Sequence, residues 1–190
     1  MSVRTALHTD ALLTAAFESF ARYGFTRTTM ADVASAAGMS RPALYLRVAN
    51  KDELLRLVAA ALLNASLERA RTAEASDGPV DARVDGVLQA KLGMTLELAA
   101  HSAHAVELLD SYHRLAADES ARFLATVEDL VAGALADTGA PRERCVDLAT
   151  ALTRAVTGLE QDPAAAHSAR HLLGELVRAT VAGLSRPLPS

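Results

Sequence analysis

Arg41, Tyr45, Arg47 and Lys51 fall within one short stretch of a 190-residue chain in which lysine is rare. A guanidinium such as that of Arg41 can donate two parallel hydrogen bonds to the edge of a guanine. The hydroxyl of Tyr45 and the cations Arg47 and Lys51 suit phosphate oxygens instead. Ser40 and Pro42 flank Arg41, and Arg27 and Thr29 come shortly before them. Arg27 reads better as a solvated or phosphate-facing loop residue than as a base reader.

A second set of groups sits near the middle. His101, His104 and Glu107 could hold a metal, but the histidines are three apart rather than the four common in helical zinc sites, and cysteine ligands are absent. His167 and His171 have the four-residue spacing, yet they point away from their helix's leucines, as a solvated face would. At about 100° per residue, His101, His104, Leu108, Ser111 and Tyr112 would share one side of a helix. With Met94, Glu97 and Phe123 they are the candidate ligand-binding residues, polar anchors in a mostly apolar cavity. Taken singly, each histidine reads slightly better as a hydrogen-bonded packing residue than as a pocket anchor, and the pattern leaves both open. No metal or cofactor is expected. The chain shows no paired acid and base, no nucleophile beside a partner and no phosphate loop, so an enzyme is not expected. The competing reading is a helical small-molecule-binding protein or enzyme built around His101 and His104.

Helices must position these groups. Ala and Leu dominate, aromatics are 4% and hydrophobic residues 51% of the chain, a balance that favours helix over strand. The first helix is expected from about Thr9 to Tyr23, with Leu12, Ala15, Ala16 and Phe20 at helical spacing, Asp10 in its first turn and Gly24 as its stop. A second starts after Thr28 or Thr29, where Thr29 and Asp32 have capping-box spacing, and ends at Gly38. Ser40 caps a third with Pro42 in its first turn, and Asn50 caps a fourth that continues to about Arg71, with Glu53 three residues on. Ala34, Ala37 and Gly38 are small enough for two helices to cross steeply at a tight turn, with Val33 and Leu44 facing Phe20 and Leu12. The segment Glu74–Pro79 is the clearest break. Further helices are expected near 80–98, 101–113, 116–137, 142–160 and 163–185, the last announced by Asp162 before Pro163, with a loose tail at Arg186–Ser190.

Charge divides along the same line. Residues 1–56 hold seven Arg and Lys against five Asp and Glu, whereas residues 57–190 hold twelve against eighteen, and the whole chain carries −4. The basic part is the part with the turn. No apolar run reaches the ~18 residues of a membrane span, no secretory leader is visible, and the lone Cys145 fits a reducing cytoplasm.

Residues from about Leu12 to Leu57 resemble the N-terminal domain of TetR-type transcriptional regulators. The likeness rests on Leu12, Ala15, Ala16, Phe20 and Gly24, then Thr29, Val33, Ala34, Ala37, Gly38, Ser40, Leu44 and Tyr45, and finally Lys51, Glu53 and Leu54. Three positions depart from the family. Arg47 and Val48 stand where His-Phe is frequent, and Pro42 replaces a small residue after Ser40 and Arg41. The resemblance implies an all-helical subunit, a homodimer, and a variable C-terminal domain that binds a small molecule and releases DNA.

The expected architecture is all-α. A three-helix helix-turn-helix DNA-binding domain over 1–56 joins a larger helical ligand-binding and dimerisation domain over 57–190. The DNA-contacting set is Arg27, Thr29, Ser40, Arg41, Pro42, Tyr45, Arg47 and Lys51. Leu148, Leu152, Val156 and Leu159, with Leu173, Leu176 and Thr180, form apolar stripes that could pair with their copies in a dimer. The expected function is a cytoplasmic, ligand-responsive repressor acting as a homodimer on a palindromic double-stranded operator, with a small-molecule effector and no membrane partner.

Overall fold

The computed structural model describes Leu7, residues 10–161 and residues 166–184. The expected start signal at Asp162 and Pro163 and the tail Arg186–Ser190 lie outside the described residues. Among the described residues every regular element is helical: α1 (Ala11–Tyr23), α2 (Met30–Ala36), α3 (Arg41–Tyr45), α4 (Lys51–Glu74), α5 (Val80–His101), α6 (Ala105–Leu115), α7 (Ala117–Ala136), α8 (Arg142–Glu160) and α9 (Ala166–Leu184). These bounds follow the sequence expectations closely, with one consequential exception. The helix expected near 101–113 begins at Ala105, and His101 closes the preceding helix instead.

Two compact units make up the chain. The first is Met1–Ala65 with Glu97–Ala121, and the second is Ser66–Leu96 with Arg122–Ser190. In the first, α1 turns Leu12, Ala16, Phe17 and Phe20 inward against Val33 and Ala34 of α2, Leu44 of α3 and Leu54 of α4. Leu98, Ala105 and Leu108 belong to the same core. Phe20 meets Phe25 edge-on at 5.5 Å between ring centres, an arrangement in which the positive rim of one ring faces the other's π cloud.

The second unit buries Val84, Leu88 and Leu92 of α5, Val127, Val131 and Leu135 of α7, Cys145, Leu152 and Val156 of α8, and Leu173 and Val177 of α9. Polar groups are buried there too. Lys91, 3% exposed, puts its Nζ 2.6 Å from Glu160 Oε2 and 3.3 Å from Thr157 Oγ1, and Thr95 Oγ1 donates to Glu160 Oε1 at 3.0 Å. A buried ammonium is tolerable only when a counter-charge and hydrogen bonds replace its water. Cys145 lies inward, its Sγ 3.7 Å from the Ala140 carbonyl oxygen.

Candidate nucleic-acid interface

Each helix of the N-terminal group is started by a side chain that satisfies its free N–H groups. Asp10 accepts from Leu12 N at 2.9 Å and Leu13 N at 3.4 Å, so it caps α1 from outside rather than sitting in its first turn. Thr29 and Asp32 form the reciprocal capping box of α2, and hydrogen bonds from the Thr29 side chain and backbone hold the Asp32 carboxyl below its ordinary range. Ser40 Oγ accepts the Ala43 N–H at 3.3 Å above α3. Asn50 Oδ1 accepts the Glu53 N–H at 2.8 Å above α4, and Glu53 reaches back to the Ala49 N–H at 2.6 Å.

The turn between α2 and α3 is closed by two backbone bonds, Gly38 N to Ser35 O at 3.1 Å and Met39 N to Ala34 O at 2.9 Å. Together they make a Schellman ending, which requires a left-handed residue at its pivot. Gly38 supplies it with φ 65°. Val33, Ala34 and Leu44 then pack inward, and the opposite side of α3 is turned to solvent.

That outward side carries Ser40, Arg41, Pro42 and Tyr45, all exposed. Thr29 and Arg27 lie on the approach to α2, where Thr29 is exposed and Arg27 carries positive charge toward Glu107. The structure therefore brings together most of the expected DNA-contacting set on neighbouring elements of one unit. Two members have further partners. Arg47 Nη2 lies 2.7 Å from Asp10 Oδ2, which ties the segment just after α3 to the cap of α1. Lys51 gives its ammonium to three carbonyl oxygens, those of Phe25 at 2.7 Å, Thr28 at 2.9 Å and Thr26 at 3.2 Å, and sits 4.6 Å from the Phe25 ring centre. An ammonium has three N–H donors, so this is the geometry of a clamp on the loop between α1 and α2. Val48, where the family's phenylalanine is larger, is buried in the shared core.

The segment 97–121 is fastened to these helices. Ser102 Oγ donates to Ala21 O at the end of α1 at 2.9 Å and accepts the His104 N–H at 2.9 Å. Glu107 Oε1 accepts the Thr26 N–H at 2.7 Å. Arg56 Nε donates to Leu115 O at 3.0 Å. Sequence reasoning misses Ser102 and reads Glu107 only as a possible metal ligand. Nothing local marks either of them, because their partners lie far away along the chain.

The candidate ligand residues are distributed differently from the expectation. His101 and His104 do not share a helix face, because the chain leaves helix at Ser102, whose hydroxyl competes for backbone groups. His101 is exposed with Nδ1 2.7 Å from Glu97 O, and His104 faces Glu107, with Nδ1 3.6 Å from Oε2. Leu108, Ser111 and Tyr112 are buried along α6. Met94 and Phe123 belong to the second unit. Among the described residues, no three His, Cys, Asp or Glu side chains converge as a metal site would need, and no helix is long and apolar enough to cross a membrane.

Of the expected pairing residues, Leu152, Val156 and Leu173 are buried inside one chain, so they fill the second unit's own core. Leu148, Leu159 and Thr180 are half-buried, and Leu176 is exposed. Leu172, also exposed, stands one turn before Leu176 on α9, and the exposed Ala179 and Gly183 continue that face. Periodicity identifies the two helices but not which stripe turns inward.

Residues 12–58 match the family model described as bacterial regulatory proteins, tetR family. The fold is similar to that of a transcriptional regulator from Rhodococcus sp. Rha1, at 22% identity and TM-score 0.70, covering 94% of this chain and 98% of that one. It is also similar to the TetR family transcriptional regulator PfmR from Thermus thermophilus, at 20% identity and TM-score 0.60, covering 96% and 97%. The fatty acid degradation regulator FadR from Bacillus halodurans aligns at 18% identity and TM-score 0.57, covering 86% and 93%. No curated protein matches the chain.

Proposed function

We propose that this chain is a cytoplasmic DNA-binding repressor, working as a homodimer on a palindromic operator and released by a small-molecule effector. One observation carries the reading. The helix-turn-helix around Gly38 is held rigid by caps and a Schellman turn, and it leaves Arg41, Pro42 and Tyr45 of α3 in solvent. A short helix presented this way can enter a major groove, with phosphate contacts fixing its register. The tetR-family match over residues 12–58 supports the same assignment.

In this reading Arg41 contacts a guanine edge, while Tyr45, Ser40, Thr29 and Arg27 meet phosphate. Lys51 and Arg47 act as positioning residues that hold the loop before α2 and the start of α1. Two half-sites one helical turn apart, about 34–36 Å, require two copies of α3. The exposed face of Leu172, Leu176, Ala179 and Gly183 on α9 supports pairing through that helix. Effector binding is assigned to the helical region after residue 57, with Leu108, Ser111 and Tyr112 among the residues expected to respond. An enzyme or carrier centred on His101 and His104 is less well supported, since those side chains do not share a helix face.

The test is duplex binding by the purified chain to fragments of its own upstream DNA, across a salt series. Affinity should fall linearly in the logarithm of salt concentration, and Arg41→Ala should erase preference at one base pair per half-site, worth about 1–3 kcal/mol. Leu172→Asp with Leu176→Asp should yield monomers by sedimentation and lose operator binding. A monomeric wild type with no preference among duplexes refutes the proposal.

A further inference from the structure

Leu46 ends the reading helix in a helical conformation, φ −73° and ψ −20°, and is 89% exposed. Its N–H bonds to Pro42 O at 3.1 Å, so it stands one turn beyond Pro42 on the same face. Side chains four apart on a helix fall on the same side, so Leu46 and Pro42 form neighbouring points of one exposed face. The exposed side of α3 thus holds two adjacent ridges. One is polar, Arg41 and Tyr45; the other is apolar, Pro42 and Leu46. The intervening Leu44 and the following Val48 point into the core and anchor both ridges.

We propose that Leu46 reads the C5-methyl group of a thymine in each half-site, beside the base contacted by Arg41. This rests on the DNA-binding reading above. The methyl of thymine is the one apolar group that base edges expose in the major groove, and an apolar side chain is its natural complement. A protein partner fits the setting less well. The small apolar ridge of Pro42 and Leu46 lies beside the exposed Tyr45 and Arg41 of the same short helix, and basic side chains next to so small an apolar surface match a polyanion that displays methyl groups. The apolar ridge also gives Pro42 a purpose. It widens the hydrophobic floor against which the methyl lies.

The experiment uses duplexes enriched from a random pool by the full wild-type chain, with each thymine replaced in turn by deoxyuridine. Removing the methyl at one thymine per half-site should weaken wild-type binding about fourfold per site, the equivalent of burying one methyl group. Leu46→Ala should bind the thymine and uracil duplexes equally, and Leu46→Met, which keeps an apolar reach, should retain the preference. Thermal melts of both variants should match the wild type, because the side chain lies in solvent. Indifference of the wild type to every thymine methyl overturns the proposal, as does a preference that survives in Leu46→Ala. Failure to enrich or bind any duplex is a different outcome, which removes the DNA-binding reading and this assignment with it.

Discussion

Glu107 accepts the backbone N–H of Thr26 at 2.7 Å, joining α6 to the loop that leads into α2 across 81 positions of sequence. Hydrogen bonding from Thr26 is the main reason its carboxyl titrates below the usual 4.5, with His104 and Arg27 adding positive charge nearby. A carboxyl group whose folded value is depressed adds stability above its unfolded value and loses it as pH falls through the folded one. Glu107→Gln should therefore lower stability at neutral pH by about 1 kcal/mol, less than a fully buried charged hydrogen bond because the side chain is partly hydrated. The gap between variant and wild type should close below pH 4.5. Urea midpoints across a pH series measure it, and a gap that persists into acid contradicts the assignment.

Gly24 and Gly38 both have positive φ, 80° and 65°, but their surroundings differ. A Cβ on Gly24 would meet Glu107 Oε2 at 2.5 Å and His104 Nδ1 at 3.2 Å, whereas a Cβ on Gly38 meets nothing within 4 Å. The ψ of 158° also puts Gly24 in a region that other residues scarcely enter. Gly38→Ala should cost about 1–2 kcal/mol from the dihedral alone, and Gly24→Ala about 3 kcal/mol or more. Adding Glu107→Ala to Gly24→Ala should relieve the clash but not the backbone strain. Equal costs at the two glycines, read by denaturant melts, contradict this ordering.

Lys51→Met should destabilise the first unit by about 2 kcal/mol, since three carbonyl oxygens lose a charged donor. Lys51→Arg should not restore it. A planar guanidinium cannot aim three N–H groups at carbonyls arranged around a compact ammonium. If Lys51→Met leaves the urea midpoint unchanged while lowering the salt dependence of DNA binding, the residue serves phosphate instead of the loop.

Lys91→Met alone, or Glu160→Leu alone, leaves an uncompensated charge in the second unit and should cost about 3–5 kcal/mol. The double substitution should be far milder than the sum, because both charges leave together. The double-mutant cycle reads this directly, and additive losses would show that the two side chains do not act as a pair.

The N-terminal helices are legible in the sequence because their determinants are local. Thr29, Ser40 and Asn50 stand beside the helices they cap, and Gly38 beside the turn it permits. Long-range fastenings leave no such trace. Glu107 resembles a metal ligand because its spacing to His101 and His104 is visible, while Thr26 lies too far away to suggest a partner. Helix spacing marks α8 and α9 as amphipathic, yet it cannot decide that Leu152, Val156 and Leu173 turn inward while Leu172 turns outward. That choice depends on which neighbouring helix covers each stripe. Leu46 is hidden for a related reason, since an apolar letter after Tyr45 suggests core and only the packed backbone turns it to solvent.

The lone thiol of the chain, Cys145, lies on the inward face of α8 with only 1% of its surface accessible. A sulfhydryl so enclosed meets alkylating dyes only when its surroundings part. Native labelling at that single sulfur therefore clocks the transient loosening of the second unit, without any engineered probe. Any compound that grips the unit will slow the colour change, so an unaltered sample doubles as a screen for molecules that bind there.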